Sequence, residues 1–253
     1  MNALLIDQGN TRCKFAYWDG EQLSQHGVVH SNRAALSDLL QQYSLTISPT
    51  EVYLASVAGE EDLHALCGLL HQYGWQNITR PTSEKHYLGL SNAYKNAKTL
   101  GIDRWLAMIA AWQRYHTAVC VVDCGSALTI DVIDDSGKHM GGVIIPGHDR
   151  QLMLANDFPL VHLHGEGDVQ PGSSIAIPWL GRDTASCVSH GAWHALVGAT
   201  SVIWQQSSCA LGSEVRLVLT GGGAEQLIEL LPMSAVLVPH LVLEGLSHYV
   251  VAR

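Results

Sequence analysis

Ala3-Leu4-Leu5-Ile6-Asp7-Gln8-Gly9-Asn10-Thr11-Arg12-Cys13-Lys14-Phe15-Ala16-Tyr17-Trp18-Asp19-Gly20 holds two β-like runs, Ala3 to Ile6 and Lys14 to Trp18, with turn letters at Gly9 and Asn10 between them. Asp19-Gly20 leads into a further run, His26 to His30, and Asp-Gly between two such runs is a hairpin signal. The opening therefore predicts three antiparallel strands. Ser31 follows as a candidate N-cap, and Leu36, Leu39 and Leu40 have helical spacing. Val52 to Ser56 reads as a buried strand, and Leu63, Leu66, Leu69 and Leu70 as the apolar stripe of a second helix. Hairpin strands followed by alternating helix and strand form an α/β pattern.

Near residue 118 the pattern begins again. Ala118 to Val122, Leu128 to Ile133 and Gly141 to Ile145 read as strands, with a turn at Asp135-Ser136-Gly137. A helix from about Asp183 to Gln206, a strand at Val215 to Leu219, the turn Gly221-Gly222-Gly223 and a helix from about His240 complete the second half. Few letters repeat between the halves, so the repeat is one of element order. It predicts two similar α/β lobes, 1–117 and 118–253, meeting at a cleft. Residues Asn156 to Leu180, with Pro159, Pro171 and Pro178, read as an irregular excursion of a length that is often functional.

The 253 residues are 47% hydrophobic and 15% charged, and 14 Lys+Arg against 23 Asp+Glu leave a formal charge of -9. A core of domain size is available. A general nucleic-acid binder is excluded, because displacing phosphate counterions takes clustered cations. Anionic small ligands remain open if a local Lys or Arg, backbone N–H groups or a bound cation holds them. No run approaches the roughly 18 to 20 apolar residues that cross a bilayer. The first residues lack a basic stretch and meet Asp7, unlike a signal peptide, so a cytoplasmic location is expected. The six cysteines, at unrelated spacings, read as free and mostly buried thiols.

Three turns and one helix start could carry chemistry. In Asp7-Gln8-Gly9-Asn10-Thr11 the glycine allows a tight turn with exposed N–H groups, Asn10 and Thr11 add donors, and Lys14 adds a cation. That combination suits a triphosphate, with Asp7 holding Mg²⁺. Alone, the same letters are those of an ordinary β-turn. Asp123-Cys124-Gly125-Ser126-Ala127 takes the matching place in the second half. The pair, with the glycine turn at 221–223, resembles the phosphate loops of the actin, sugar kinase and acetate kinase superfamily. Gly101-Ile102-Asp103-Arg104-Trp105 opens a helix through Trp112. Alone, Asp103 is a first-turn or N-cap acid and Arg104 a surface charge.

Taken together, Leu-Gly-Ile-Asp-Arg, the Asp-x-Gly-Asn-Thr turn and the Asp-Cys-Gly-Ser-Ala turn resemble the type III pantothenate kinases over nearly the whole chain. That resemblance implies two actin-like (ribonuclease H-like) α/β lobes with the active site in the cleft between them. It also implies ATP-dependent phosphorylation of pantothenate, the first committed step of coenzyme A synthesis. The family's ATP segment corresponds to Asp7, Gln8, Gly9, Asn10, Thr11, Arg12, Cys13 and Lys14, and Ser126 stands where the family places a threonine hydroxyl against ATP. Gly101, Ile102, Asp103 and Arg104 correspond to the pantothenate segment, with Asp103 as general base and Arg104 facing the substrate carboxylate. Tyr94, seven residues ahead of Gly101, corresponds to a tyrosine of that site. Asp123 is the implied ligand of a monovalent cation, potassium or ammonium, and Mg²⁺ is implied with ATP. Gly141 to Gly147 resembles the family's Gly-Gly-x-Ile-x-Pro-Gly stretch. Asp183-Thr184 stands where the family has Asn-Thr; a homodimer is implied, in which Thr184 completes the partner's pantothenate site.

Two rivals remain: a non-catalytic regulatory or nucleotide-binding homologue, and a kinase of another small alcohol, or a phosphatase, on the same fold. Intact Asp7, Asp103, Arg104 and Asp123 speak against the first. Cys120 and Cys124 read as core thiols and His162-x-His164 as a loop coincidence, since a zinc site needs more ligands than these supply, and Trp105 with Trp112, seven apart on one helix face, read as packing.

Overall fold

The computed structural model describes residues 2–46, 51–155 and 180–251. By contacts the chain forms two compact units, one of Met1–Val121, Asp131–Gly141 and His240–Arg253, the other of Val122–Ile130 and Gly142–Pro239.

In the first unit, β1 (Ala3–Gln8), β2 (Arg12–Trp18) and β3 (Leu23–His30) are the expected antiparallel strands. The Asp19 carboxylate accepts the N–H groups of Glu21 and Gln22, both at 2.9 Å, and Gly20 takes φ 112°, which closes the hairpin. Helix α1 (Arg33–Thr46), β4 (Glu51–Ser56), α2 (Glu60–Gln72) and β5 (Ile78–Thr79) follow, and the sheet runs β3-β2-β1-β4-β5 with β4 parallel to β1. All six residues of β1 are buried because helices cover both faces. Leu4, Ile6, Cys13 and Phe15 meet Leu36, Leu40, Leu63 and Leu66 of α1 and α2. The opposite face packs against α7 (Leu241–Val251) and α3 (Ile102–Tyr115).

The start of α1 differs from the sequence expectation. Ser31 donates its hydroxyl to the Gly9 carbonyl and its amide to the Thr11 carbonyl, both at 3.0 Å, while Asn32 Oδ1 accepts the Ala35 N–H at 2.9 Å. Asn32 is therefore the cap, Ser31 being engaged by the β1–β2 turn. A small hairpin also went unread: β6 (His86–Tyr87) and β7 (Leu90–Ser91), joined through Leu88 (φ 46°) and Gly89 (φ 82°). It leads directly to Tyr94.

The second sheet uses β8 (Val119–Cys124), β9 (Ala127–Ile133) and β10 (His139–Pro146), then α4 (His148–Ala155), α5 (Thr184–Leu211), β11 (Arg216–Thr220), α6 (Ala224–Leu230) and β12 (Val236–Leu237). Its order, β10-β9-β8-β11-β12, is that of the first sheet: third strand, second, first, then the two that follow. The repeat of element order in the sequence is thus a repeat of sheet topology. The excursion 156–179, including His162 and His164, lies outside the described residues.

Cys120 and Cys124 are buried, and burial, aided by nearby carboxylates, pushes both thiols up to about 12, so they are protonated core groups. Trp105 is fully buried and donates its indole N–H to Tyr249 Oη at 3.2 Å, a packing role as expected.

Candidate active site

Asp103 sits in the first turn of α3, whose N-cap is Gly101. A Cβ at Gly101 would lie 2.6 Å from Asp103 Oδ1, so the glycine makes room for the carboxylate to fold back over the helix start. There Oδ1 accepts the Arg104 backbone N–H at 2.8 Å. Burial raises the Asp103 pKa; the Arg104 N–H and charge act against it, and Asp131 acts with it. A carboxylate with one oxygen anchored and raised basicity is equipped to accept a proton.

The Arg104 side chain is buried, although the sequence alone suggested a surface charge. Its Nε and Nη2 donate to the two carboxylate oxygens of Asp131 at 2.8 and 2.6 Å, and Nη1 donates to Tyr94 Oη at 3.0 Å. Burial opposes the Arg104 charge, but the bonds and proximity of Asp131 and Tyr94 outweigh it and raise its pKa. Five N–H groups less three leaves two for a ligand, one on each terminal nitrogen. His139 Nε2 lies 2.9 Å from Asp131 Oδ1, and the Ala93 N–H points at His139 Nδ1 at 3.4 Å. With Nδ1 accepting, Nε2 carries the proton and donates to Asp131.

Tyr94 is placed by its own loop. Buried Asn92 accepts the Tyr94 N–H at 2.9 Å and donates to the Glu84 and Ala97 carbonyls at 3.2 and 3.3 Å. Lys85 Nζ donates to the Asn92 and Tyr94 carbonyls at 2.6 and 3.3 Å. Tyr94 thus meets Arg104 at the start of α3, beside Gly101, Ile102 and Asp103, the residues that the family resemblance grouped. Asp131, His139, Asn92 and Lys85 were missed. One signal was available for Asp131: an acid inside the apolar run Leu128 to Ile133 requires a buried partner.

In the β1–β2 turn, the Gly9 N–H donates to the Arg12 carbonyl at 3.0 Å, leaving Asn10, Thr11 and Arg12 exposed at the tip. Asp7 and Lys14 face each other across the ladder. Two side chains of this segment turn inward. Gln8 is fully buried, donating to the Asp62 carbonyl at 3.1 Å and accepting from the Ser56 hydroxyl at 2.9 Å. Cys13 lies in the core beneath α1 and α2, and burial together with Asp7 raises its pKa. Only their backbone groups face the turn.

In the second unit, the β8–β9 turn repeats the plan, with the Gly125 N–H donating to the Ala127 carbonyl at 3.0 Å. Gly147 donates to the Ser126 carbonyl at 3.0 Å and Gly223 to the Cys124 carbonyl at 2.9 Å, so both later glycine motifs close on this turn. At Gly221 (φ 95°), a Cβ would collide with Asp123 Oδ1 and lie 2.6 Å from the Cys124 carbonyl oxygen. The turn therefore sets one half-buried carboxylate, a hard oxygen donor, among backbone carbonyls that already accept N–H bonds. Among the described residues no cluster of three or more His, Cys, Asp or Glu side chains forms a metal cage. Single carboxylates such as Asp7 and Asp123 suit a cation whose other ligands are phosphate oxygens.

A family profile described as type III pantothenate kinase matches residues 3–206. The chain belongs to the type III pantothenate kinase family. The type III pantothenate kinase of Alcanivorax borkumensis is 34% identical over 250 residues, covering 96% of each chain. That of Aromatoleum aromaticum is 34% identical over 253 residues, covering 99% of this chain and 97% of its own. Among solved structures, a protein from Campylobacter jejuni described as a Baf family transcriptional activator aligns with TM-score 0.61 at 20% identity, covering 98% of both chains. The activator of 2-hydroxyisocaproyl-CoA dehydratase from Clostridium difficile, with bound ADPNP, aligns with TM-score 0.51 at 10% identity, covering 98% and 94%. These structural likenesses concern the fold alone, a mixed α/β, actin-like one.

In this type III pantothenate kinase, Asp183 and Ser126, named above where the family resemblance expects Asn and Thr, keep their local chemistry. Asp183 is the N-cap of α5: its Oδ1 accepts the Ser186 N–H at 2.9 Å, and Ser186 Oγ receives the Asp183 N–H at 3.2 Å. Asp and Asn cap equally well, and these bonds hold the Asp183 carboxyl below its usual range. The exchange keeps the helix start that presents exposed Thr184. Ser126 is exposed on the β8–β9 turn and retains the hydroxyl that threonine would offer. Among the described residues, no helix is long and apolar enough to cross a membrane.

Proposed function

We propose that this chain transfers the γ-phosphoryl group of ATP to the primary alcohol of pantothenate, yielding 4′-phosphopantothenate for coenzyme A synthesis in the cytoplasm. The observation that carries this reading is the Asp103 carboxylate, half-buried, raised in pKa and held by one oxygen at the start of α3 beside a sequestered Arg104. Phosphoryl transfer asks little covalent work of a protein; it needs an aligned nucleophile and charge stabilisation on the moving oxygens. Asp103 accepts the alcohol proton. The two remaining N–H groups of Arg104 face the pantothenate carboxylate, with Tyr94 beside them and the backbone of Gly101 and Ile102 completing the wall.

Asp7 holds Mg²⁺ with the nucleotide, while Gly9, Asn10, Thr11, Arg12 and Lys14 meet its phosphates, Gln8 and Cys13 contributing through their backbone. Ser126 adds a hydroxyl to ATP. Asp123 binds a monovalent cation, potassium or ammonium, which offsets repulsion between ATP and a chain of formal charge -9. The two lobes divide at 117/118, where the sheet order starts again, and the active form is a homodimer in which Thr184 completes the partner's pantothenate site.

The test is ADP release from ATP, Mg²⁺ and pantothenate in potassium or in sodium, beside Asp103→Asn. Pantothenate-dependent turnover that requires potassium and is lost in the variant is expected. Detectable ATP binding with no turnover in the parent protein would refute the enzyme reading and favour a regulatory homologue.

A further inference from the structure

A guanidinium next to a general base threatens that base. An opposite charge within hydrogen-bonding range typically lowers a carboxylate pKa by about one to three units, leaving a weaker proton acceptor. Asp103 and Arg104 are sequence neighbours, yet the Arg104 side chain is turned away: two of its nitrogens bond Asp131 and a third bonds Tyr94. Asp131 is in turn bonded by His139, which is fully buried and held at its other nitrogen by the Ala93 N–H.

We propose that Asp131 and His139 are positioning residues of the phosphoryl-transfer site: Asp131 withholds the Arg104 guanidinium from Asp103 and aims it at Tyr94 and the substrate, and His139 fixes Asp131 for that purpose. The proposal rests on the reading of Asp103 as the base. Stability alone gives little reason for the arrangement, since a buried Arg–Asp pair is commonly no more stabilising than apolar residues of the same volume. The charged groups that act on Asp103 are Arg104, on its own helix, and Asp131, on β9; Tyr94 and His139 act through those two. Replacing Asp131 by Asn removes a like charge from Asp103 and leaves Arg104 without its anion. Both changes favour the ionised carboxylate, so the Asp103 midpoint moves down.

The test reads Asp103 directly. Protein labelled with ¹³C at aspartate carboxyls is titrated by NMR, the Asp103 signal being assigned by its loss in Asp103→Asn. In Asp131→Asn the midpoint is expected to fall by about one unit, with the acidic limb of kcat/KM for pantothenate shifting equally, and Asp131→Glu is expected to restore part of both. An Asp103 midpoint unchanged in a folded Asp131→Asn protein overturns the proposal. Should that variant fail to fold, His139→Phe decides by the same titration: a smaller downward shift with a raised KM supports the proposal, and an unmoved midpoint overturns it. The titration needs no turnover, so an inactive parent protein would refute the kinase reading while leaving this inference to the NMR result.

Discussion

At Gly221 an added methyl group meets both a constrained backbone and occupied space. Its φ of 95° lies in the left-handed region, and an alanine Cβ would overlap Asp123 Oδ1 while lying 2.6 and 2.7 Å from the carbonyl oxygen and carbon of Cys124. Those last two atoms are backbone at the end of β8 and have no rotamer by which to retreat. The backbone conformation costs a residue with a side chain about 1–2 kcal/mol, and forced overpacking adds about 1–3 kcal/mol. Gly221→Ala should therefore destabilise by about 2–5 kcal/mol, a fall in melting temperature of roughly 5–15 °C for a chain of this size. Gly212→Ala is the matched control: φ is 63° at the C-cap of α5, but nothing lies within 4 Å of its Cβ, so only the conformational cost applies. Thermal unfolding of both variants, with potassium titrated into the ATPase assay, separates the two contributions. On the proposal that Asp123 holds potassium, displacing it is expected to raise the half-saturating potassium concentration severalfold in Gly221→Ala alone. If Gly221→Ala melts together with Gly212→Ala and keeps the parent's potassium response, the close packing argued for this turn is wrong.

Gly245→Ala places a methyl group against the Leu106 backbone where α7 crosses α3, and should cost about 1–3 kcal/mol in thermal or urea unfolding despite the better helix propensity of alanine. Asp103→Asn is expected to lower kcat by about 10²- to 10⁴-fold with ATP affinity retained. The same variant carries a stability signature. The folded Asp103 pKa is raised, so its contribution to stability is present at acid pH and lost as pH rises through the folded value. Asp103→Asn should therefore melt higher than the parent at pH 7 to 8, with the gain vanishing below about pH 4; no gain at neutral pH would contradict the half-buried, raised carboxylate. Tyr94→Phe removes the acceptor of one Arg104 bond and should raise KM for pantothenate up to about tenfold with kcat little changed.

What the chain declares locally, it declares well. The Asp19-Gly20 hairpin, the leucine stripe of α2 and the recurrence of strand, turn and strand near residue 118 depend on neighbours a few positions apart, and each stands in the structure where the letters put it. The Gly101 to Arg104 corner is equally local, since the glycine, the folded-back carboxylate and the helix start lie within one turn. Ser31 shows how such signals are overruled: a residue fit to cap α1 is engaged instead by the Gly9 and Thr11 carbonyls across the sheet, and Asn32 caps in its place. Gln8 and Cys13 show the same from another side. They belong to a segment that reads as phosphate-binding, yet strand alternation and the helices above send their side chains into the interior.

Periodicity and turn chemistry act over a few residues, so the main strands and helices and the repeat of their order were legible in the letters, while Asp103 was singled out as base by its motif's resemblance to a family. That Arg104 is a buried, partnered cation rather than a surface charge comes from packing between distant segments. Its anion lies 27 residues away on β9, and the histidine that fixes that anion lies 8 residues further still. A charge leaves water only where a partner is already waiting. That partner was set by the pairing of strands and helices into one core, which no local pattern of letters encodes.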